Sequence, residues 1–274
     1  MNYYSTRSEF LNFKDTNTPA DAADDAVIDA ILEQASRFID DYTGRKFYPR
    51  YETKLLDIPS TITRDLSTLQ FDDDLLSIDE LLNGDGTAIT EYILKEPNYT
   101  PYWCLKLRDT ASVTWEPDSS GSSEQVISLS GIWGYHDRFA YAWKPITTLS
   151  VAITDITSLT LSVTSNNDLS KGSIIKIGDE VMNVVSTGTG TITVDFRGDN
   201  GTTAATHLIS SPVYVWQVIQ PVKQACLMIT NSLYQKRFGE NATANTIVTP
   251  MGTVIPPKDI PDAALAMLRP YVRF

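Results

Sequence analysis

Apolar side chains recur at steps of three and four residues from about Asp24 to Tyr42, through Ile28, Ile31, Ala35, Phe38 and Tyr42. This is the helical period, and Gly44 supplies a C-terminal cap. Upstream, Thr18 and Pro19 offer cap and first-turn chemistry, and Asp21, Asp24 and Asp25 fall where the positive end of a helix dipole favours carboxylates. After Pro221 the same period returns in Val222, Ala225, Cys226, Ile229 and Leu233, until Phe238-Gly239 stops it. A polar stretch over 240–257 follows, and then a short helix over Pro261–Leu268.

Between these helices the pattern predicts short strands. From about Glu52 to Tyr135 they are Leu55-Leu56, Thr68 to Phe71, Ala88 to Leu94, Trp103 to Leu107, Ser112 to Trp115 and Val126 to Trp133, with turns at Asn83-Gly84-Asp85-Gly86 and Pro117 to Ser123. At about Pro145 the composition shifts to Thr, Ser, Val and Ile, with no aromatic residue between Trp143 and Phe196. Strands are predicted there at Ser150 to Ile153, Ser158 to Ser162, Ile174 to Ile177, Val181 to Ser186, Thr191 to Val194 and Val213 to Trp216. The expected fold is α+β. A small antiparallel helical core over 1–50 and 217–274 carries a β-rich region over 51–144 and an inserted all-β domain over 145–216.

Length fits this picture, since 274 residues at roughly 150 per domain make about two domains. The chain is 42% hydrophobic and 20% charged, which suits a globular core and not a disordered chain. Cys104 and Cys226 sit among apolar neighbours and read as two buried free thiols. The N-terminus has no apolar signal region and no window approaches the roughly 18 apolar residues of a membrane span, so a protein made and kept in a reducing cytoplasm is expected, with no membrane partner. The Asn-x-Thr triplets at Asn98, Asn200 and Asn241 then carry no glycans.

Charge narrows the function. The formal net charge is -12, from 34 acids and 22 bases, and proteins that wrap nucleic acid gain affinity by neutralising phosphates with Lys and Arg. The imbalance is uneven: residues 1–50 carry -3, 51–146 carry -9, 147–216 carry -3 and 217–274 carry +3. The molecule should be electrostatically polar.

Tests for catalytic chemistry are negative. The two histidines, His136 and His207, lie at a strand end and in a Thr-rich turn, with no Gly-x-Ser-x-Gly elbow, and read as surface or turn residues. Gly188-Thr189-Gly190 lacks the lysine and following helix of a phosphate cradle. No Cys/His spacing supports zinc, and the run Asp72-Asp73-Asp74 fits no calcium-loop register, so it reads as a solvated acidic turn. Arg197-Gly198-Asp199 spells an integrin-recognition tripeptide but is expected to be a turn between strands. Neither an enzyme nor a cofactor is expected, which leaves a structural or assembly role.

Particular blocks then suggest a family. The run Ile31-Leu32-Glu33-Gln34-Ala35-Ser36-Arg37-Phe38-Ile39-Asp40-Asp41-Tyr42-Thr43-Gly44-Arg45-Lys46-Phe47-Tyr48-Pro49 resembles the N-terminal helix and exit of tailed-bacteriophage head-to-tail connector, or adaptor, proteins. Leu69 to Ile78, Asn83-Gly84-Asp85-Gly86 and Gly131-Ile132-Trp133-Gly134-Tyr135 resemble the β portion of larger connectors, and Val254-Ile255-Pro256 with the Pro261 helix is placed as in them. Ile177-Gly178-Asp179-Glu180-Val181-Met182 with Arg197 to Ala204 and His207 is similar to a small β module of phage virion proteins.

The resemblance implies a virion structural protein of the neck. It would form a dodecameric ring docked under the portal protein and joined to stopper or tail proteins, with double-stranded DNA passing its channel without specific binding. It also implies that the C-terminal end reaches the portal, through Lys258, Arg269, Tyr271, Arg273 and Phe274. If the acidic middle region lines the channel, Asp72, Asp73 and Asp74 would repel passing DNA. Another neck component, such as a stopper or tail-completion protein, is the nearest alternative. A β-rich carbohydrate- or host-binding module is the alternative from a different class.

Overall fold

A computed structural model describes residues 2–14, 22–59, 67–238, 247–248, 254–255 and 260–273. The fold is mixed α+β, with four α-helices, two larger antiparallel sheets and a two-stranded ribbon among the described residues. The chain divides into two units: residues 1–45, 144–199 and 203–274 form the first, and residues 46–143 with 200–202 the second. The first unit thus contains both the helices and the all-β part that the sequence pattern treats separately.

In the first unit, α1 (Arg7–Lys14) is a short helix that the periodicity did not reveal. A reciprocal capping box starts it: the Glu9 amide donates to Thr6 Oγ1 at 3.2 Å and the Thr6 amide to Glu9 Oε2 at 2.8 Å. Helix α2 (Ala22–Thr43) buries Ile28, Leu32, Ala35, Ser36 and Ile39 on one side. It ends where Gly44 turns to φ +67° and its amide reaches the Asp40 carbonyl at 2.8 Å. The expected caps Thr18 and Pro19 lie outside the described residues. Helix α3 (Gln220–Phe238) crosses α2 at Cys226 and Ser36, and meets α1 through Phe10 and Tyr234, whose rings lie 5.6 Å apart edge to face.

The rest of this unit is a six-stranded sheet of β6 (Trp143–Thr148), β7 (Thr160–Ser162), β8 (Ile174–Ile177), β9 (Glu180–Gly188), β10 (Thr191–Val194) and β11 (Pro212–Trp216), in the order β6-β11-β8-β9-β10-β7. The chain at the ends of β6 and β7 also pairs, through the Leu149–Val163 bridge and bonds from Thr164 to Thr148 and from Ser150 to Ser162. The sheet therefore closes into a small barrel. Inward positions such as Leu161, Ile175, Ile177, Met182, Ile192 and Val213 fill it. Lys171, ahead of β8, reaches Asp29 of α2 at 2.7 Å, and Asp29 also pairs with Arg7.

The second unit is a five-stranded antiparallel sheet of β1 (Arg50–Leu56), β2 (Thr68–Leu82), β3 (Tyr92–Leu94), β4 (Tyr102–Leu107) and β5 (Ile127–Trp133), in the order β1-β5-β2-β4-β3. In β5 buried and half-buried residues alternate strictly, as for a strand with one face in a core. That core gathers Leu69, Leu75, Leu105, Ile127 and Leu129 around Trp133, with Phe71 edge-on to its ring at 5.8 Å. At Gly131 the backbone of β2 lies too close for a side chain: a Cβ there would stand 2.2 Å from the Ser77 carbonyl oxygen. The predicted strand Ser112 to Trp115 is irregular chain, and β2 runs well past its predicted end at Phe71. The last two strands, β12 (Ile247–Val248) and β13 (Val254–Ile255), pair with each other.

Candidate functional site

The acidic triplet Asp72-Asp73-Asp74 lies within β2 and not in a turn. Pairing with β4 runs from Gln70↔Cys104 to Leu75↔Tyr102, so the strand bulges between them and turns the three carboxylates into different environments. Asp72 is exposed, with 80% of its side chain accessible, against 15% for Asp73, while Asp74 is buried. Asp73 pairs with Arg50 and, at 2.7 Å, with Lys54, both on β1. Lys54 also stands 4.5 Å from the centre of the Trp133 ring. Burial alone would raise the Asp73 pKa; the bonds from Lys54 and Arg50 outweigh it and hold the carboxyl below its usual range. Of the three acids, Asp72 is the one largely open to solvent, with Lys54 at 3.9 Å.

The C-terminal end is pinned to the helices. Helix α4 (Asp262–Leu268) buries Ala264 and Leu268, and a 3-10 turn over Arg269–Tyr271 follows. Arg45 Nε donates to the Tyr271 carbonyl and the Arg273 amide to the Thr43 carbonyl, both at 2.8 Å. The segment after α4 is thereby fixed on the C-terminal end of α2. Arg269 is exposed, and Tyr271 and Arg273 are half-buried. Lys258 and Phe274 lie outside the described residues.

A third constellation was not anticipated. Glu180, at the start of β9, is fully enclosed in the barrel end. Its Oε1 accepts from Arg197 Nε at 2.7 Å and the Gly198 amide at 2.9 Å; its Oε2 meets Arg197 at 2.9 Å, the Ala205 amide at 3.1 Å and His207 Nε2 at 2.7 Å. Burial would raise the Glu180 pKa, but the Arg197, His207 and Ala205 bonds prevail and lower it. Arg197 also donates to the carbonyls of Asp155, Ser158 and Ala205, so one buried ion pair ties together three loops. The separations of 17 and 27 residues hid this arrangement in the sequence.

The same contacts decide the Arg197-Gly198-Asp199 tripeptide. The Arg197 side chain is 3% exposed and Asp199 accepts a bond from the Asn183 amide group, so the tripeptide is part of the fold and not a displayed ligand. The histidines are not surface residues: His136 is buried and accepts from the Arg138 amide through Nδ1 at 2.9 Å, and the His207 ring is enclosed beside Glu180. Cys104 and Cys226 are free and buried, as expected. Among the described residues no group of three or more His, Cys, Asp or Glu is placed to hold a metal ion, and no helix is long and apolar enough to cross a membrane. A polar cleft of about 340 Å³ in the first unit is bordered by Thr6, Glu9, Asn167, Ser170 and Lys223, where Glu9 and Lys223 pair at 2.6 Å.

Comparison with family models, with curated proteins and with solved structures finds no match to this chain.

Proposed function

We propose that this protein is a virion structural protein of a tailed bacteriophage, a head-to-tail connector without enzymatic activity. It assembles as a ring, of twelve copies on the resemblance stated above, docks under the portal protein, and links the filled capsid to stopper or tail proteins. DNA passes its channel without specific binding, in keeping with a net charge of -12. The finer architecture belongs to the same reading: the N- and C-terminal helices form the ring-building core and residues 145–216 are an insertion into it.

The observation that carries the proposal is the pinned C-terminal segment. An anchor for a partner groove needs a preordered backbone with aromatic and cationic side chains, because ordering costs are then already met. Tyr271 and Arg273, fixed by Arg45 and Thr43, have that character and are proposed as the portal-facing pair. In the channel, Asp72 is the member of the acidic triplet that can act on DNA, since Asp73 is neutralised by Arg50 and Lys54.

Electron microscopy of the protein mixed with portal-containing capsids tests this. A ring at the portal vertex is expected, and deletion of residues 258–274 should abolish it. Portal vertices left bare by the intact protein would refute the reading, whereas a ring found only on tail-side complexes would shift it to a stopper.

A further inference from the structure

The polar cleft of the first unit has a wall whose groups are committed to one another and a rim whose groups are not. In the wall, Lys223 Nζ and Ser5 Oγ bond the two Glu9 oxygens at 2.6 and 3.0 Å, and the Ser170 amide reaches Ser173 Oγ at 3.2 Å. The Tyr3 ring lies so close on Gly172 that a Cβ there would stand 2.6 Å from it. The wall is therefore preordered. At the rim, the side chains of Ser8, Asn12, Lys144, Asn167 and Asp168 are exposed and make no hydrogen bond or ion pair among the described residues. They converge from three places: Ser8 and Asn12 sit one turn apart on α1, Lys144 is on β6, and Asn167 with Asp168 is in the loop ahead of β8. A fixed concave wall with uncommitted polar groups converging on it has the character of a small-molecule site.

The groups at the rim say what kind of molecule fits. They are an ammonium, a carboxylate, two amides and a hydroxyl, so donors and acceptors are mixed. An anion would gain Lys144 but meet Asp168, and Lys223 is already neutralised by Glu9. A cation would gain Asp168 but meet Lys144, and among the described residues no cluster of ligating side chains is placed to hold a metal. A hydroxyl both donates and accepts, so a neutral ligand carrying several of them can satisfy every group of the rim. Ile146 on β6 and Val215 on the neighbouring strand β11 are half-buried and also border the cleft, which gives the carbon faces of such a ligand an apolar strip. At about 340 Å³ the cleft is near the small end of ligand sites, with room for roughly one or two sugar rings.

We propose that this cleft binds a small neutral saccharide, its hydroxyls held by Asn12, Asn167 and Asp168 and its carbon face set against Ile146 and Val215. The site lies within one unit and is complete in a single copy of the chain. It does not rest on the portal reading: sugar binding by a protein that leaves portals bare supports this site and sinks that function, and a ring on the portal without sugar binding does the reverse.

Saturation-transfer NMR and calorimetry on the full chain test it, with glucose, galactose, N-acetylglucosamine, maltose and lactose as probes and with inorganic phosphate and glycine as the anionic and zwitterionic comparisons. At least one sugar should bind with a dissociation constant of about 1 mM or tighter, and neither phosphate nor glycine should match it. Two variants change exposed rim positions only: Asn12→Ala with Asn167→Ala removes two hydrogen-bonding groups, and Ser8→Phe fills the mouth of the cleft. Each should weaken sugar binding about tenfold or more while thermal unfolding stays unchanged. A chain that binds none of the five sugars overturns the proposal. So does tighter binding of phosphate or glycine than of every sugar, or sugar binding that both variants leave undiminished, which would put it on another surface.

Discussion

Glu180 and Arg197 meet as a two-pronged pair inside the barrel end, Nε to Oε1 at 2.7 Å, with side chains 0% and 3% exposed. Removing one partner strands a buried charge, which costs about 3–5 kcal/mol. Glu180→Gln or Arg197→Met should each lower stability by that order in denaturant unfolding. Replacing both by apolar residues of similar size should cost less than the two single changes combined, because no charge is then left unpaired.

Acid should destabilise the protein through three carboxyls. Glu180, Asp73 and Glu9 all titrate below their ordinary values in the fold; in Glu9, as in the others, burial pushes upward and an ionic partner, here Lys223, pulls further down. A depressed folded pKa contributes stability that is present above the unfolded value, about 4, and lost as pH falls through the folded one. The unfolding midpoint should therefore stay level from neutrality to about pH 5 and drop below about pH 4. Glu180→Gln should flatten that drop, and an unchanged slope would show that its carboxyl does not contribute.

The acidic triplet should divide under substitution. Asp72→Asn touches an exposed charge and should alter stability by no more than about 0.5 kcal/mol. Asp73→Asn leaves Arg50 and Lys54 without their shared partner and should cost about 1–3 kcal/mol. Paired unfolding curves separate the two.

Gly131→Ala should destabilise the five-stranded sheet. The added methyl would stand 2.2 Å from the Ser77 carbonyl oxygen, a backbone atom that cannot rotate away. Overpacking of this kind costs about 1–3 kcal/mol, visible as a lowered midpoint.

Both thiols should resist alkylation in the native state. Burial pushes Cys226 up to about 11, so at mildly alkaline pH it is neither ionised nor accessible, and Cys104 is fully buried. A thiol count at mildly alkaline pH should be zero native and two in denaturant; one reactive thiol in the folded protein would contradict this.

What the sequence made legible follows from the range of the forces involved. Helices α2 and α3 declare themselves because Ile28, Ile31, Ala35, Phe38 and Tyr42, or Val222, Ala225, Cys226, Ile229 and Leu233, repeat within one element, although in α2 the buried side is carried by Leu32 and Ile39 while Phe38 and Tyr42 are half-buried. Strands β8 and β10 match their predicted spans for the same reason. Helix α1 was invisible, since its order rests on a capping box and on Phe10 reaching Tyr234. The length of β2 was hidden by Asp72 to Asp74, which read as a turn until Arg50 and Lys54 are seen across the sheet. The Glu180 cluster joins residues from separate loops, and no local pattern announces such a meeting. At the C-terminal end, Arg269, Tyr271 and Arg273 were singled out, but not the bonds to Thr43 and Arg45 that fix their backbone.

Closure of the barrel bears on how copies can touch. An open sheet offers neighbours a row of unpaired amides and carbonyls, the template on which irreversible fibrils seed. Here Thr148, Leu149 and Ser150 pair with Thr164, Val163 and Ser162, and in the other sheet the Tyr51 amide on edge strand β1 is capped by the Asn200 carbonyl. A barrel joined in this way presents only side chains and loop atoms at its seam, so that seam offers no backbone template to a second chain.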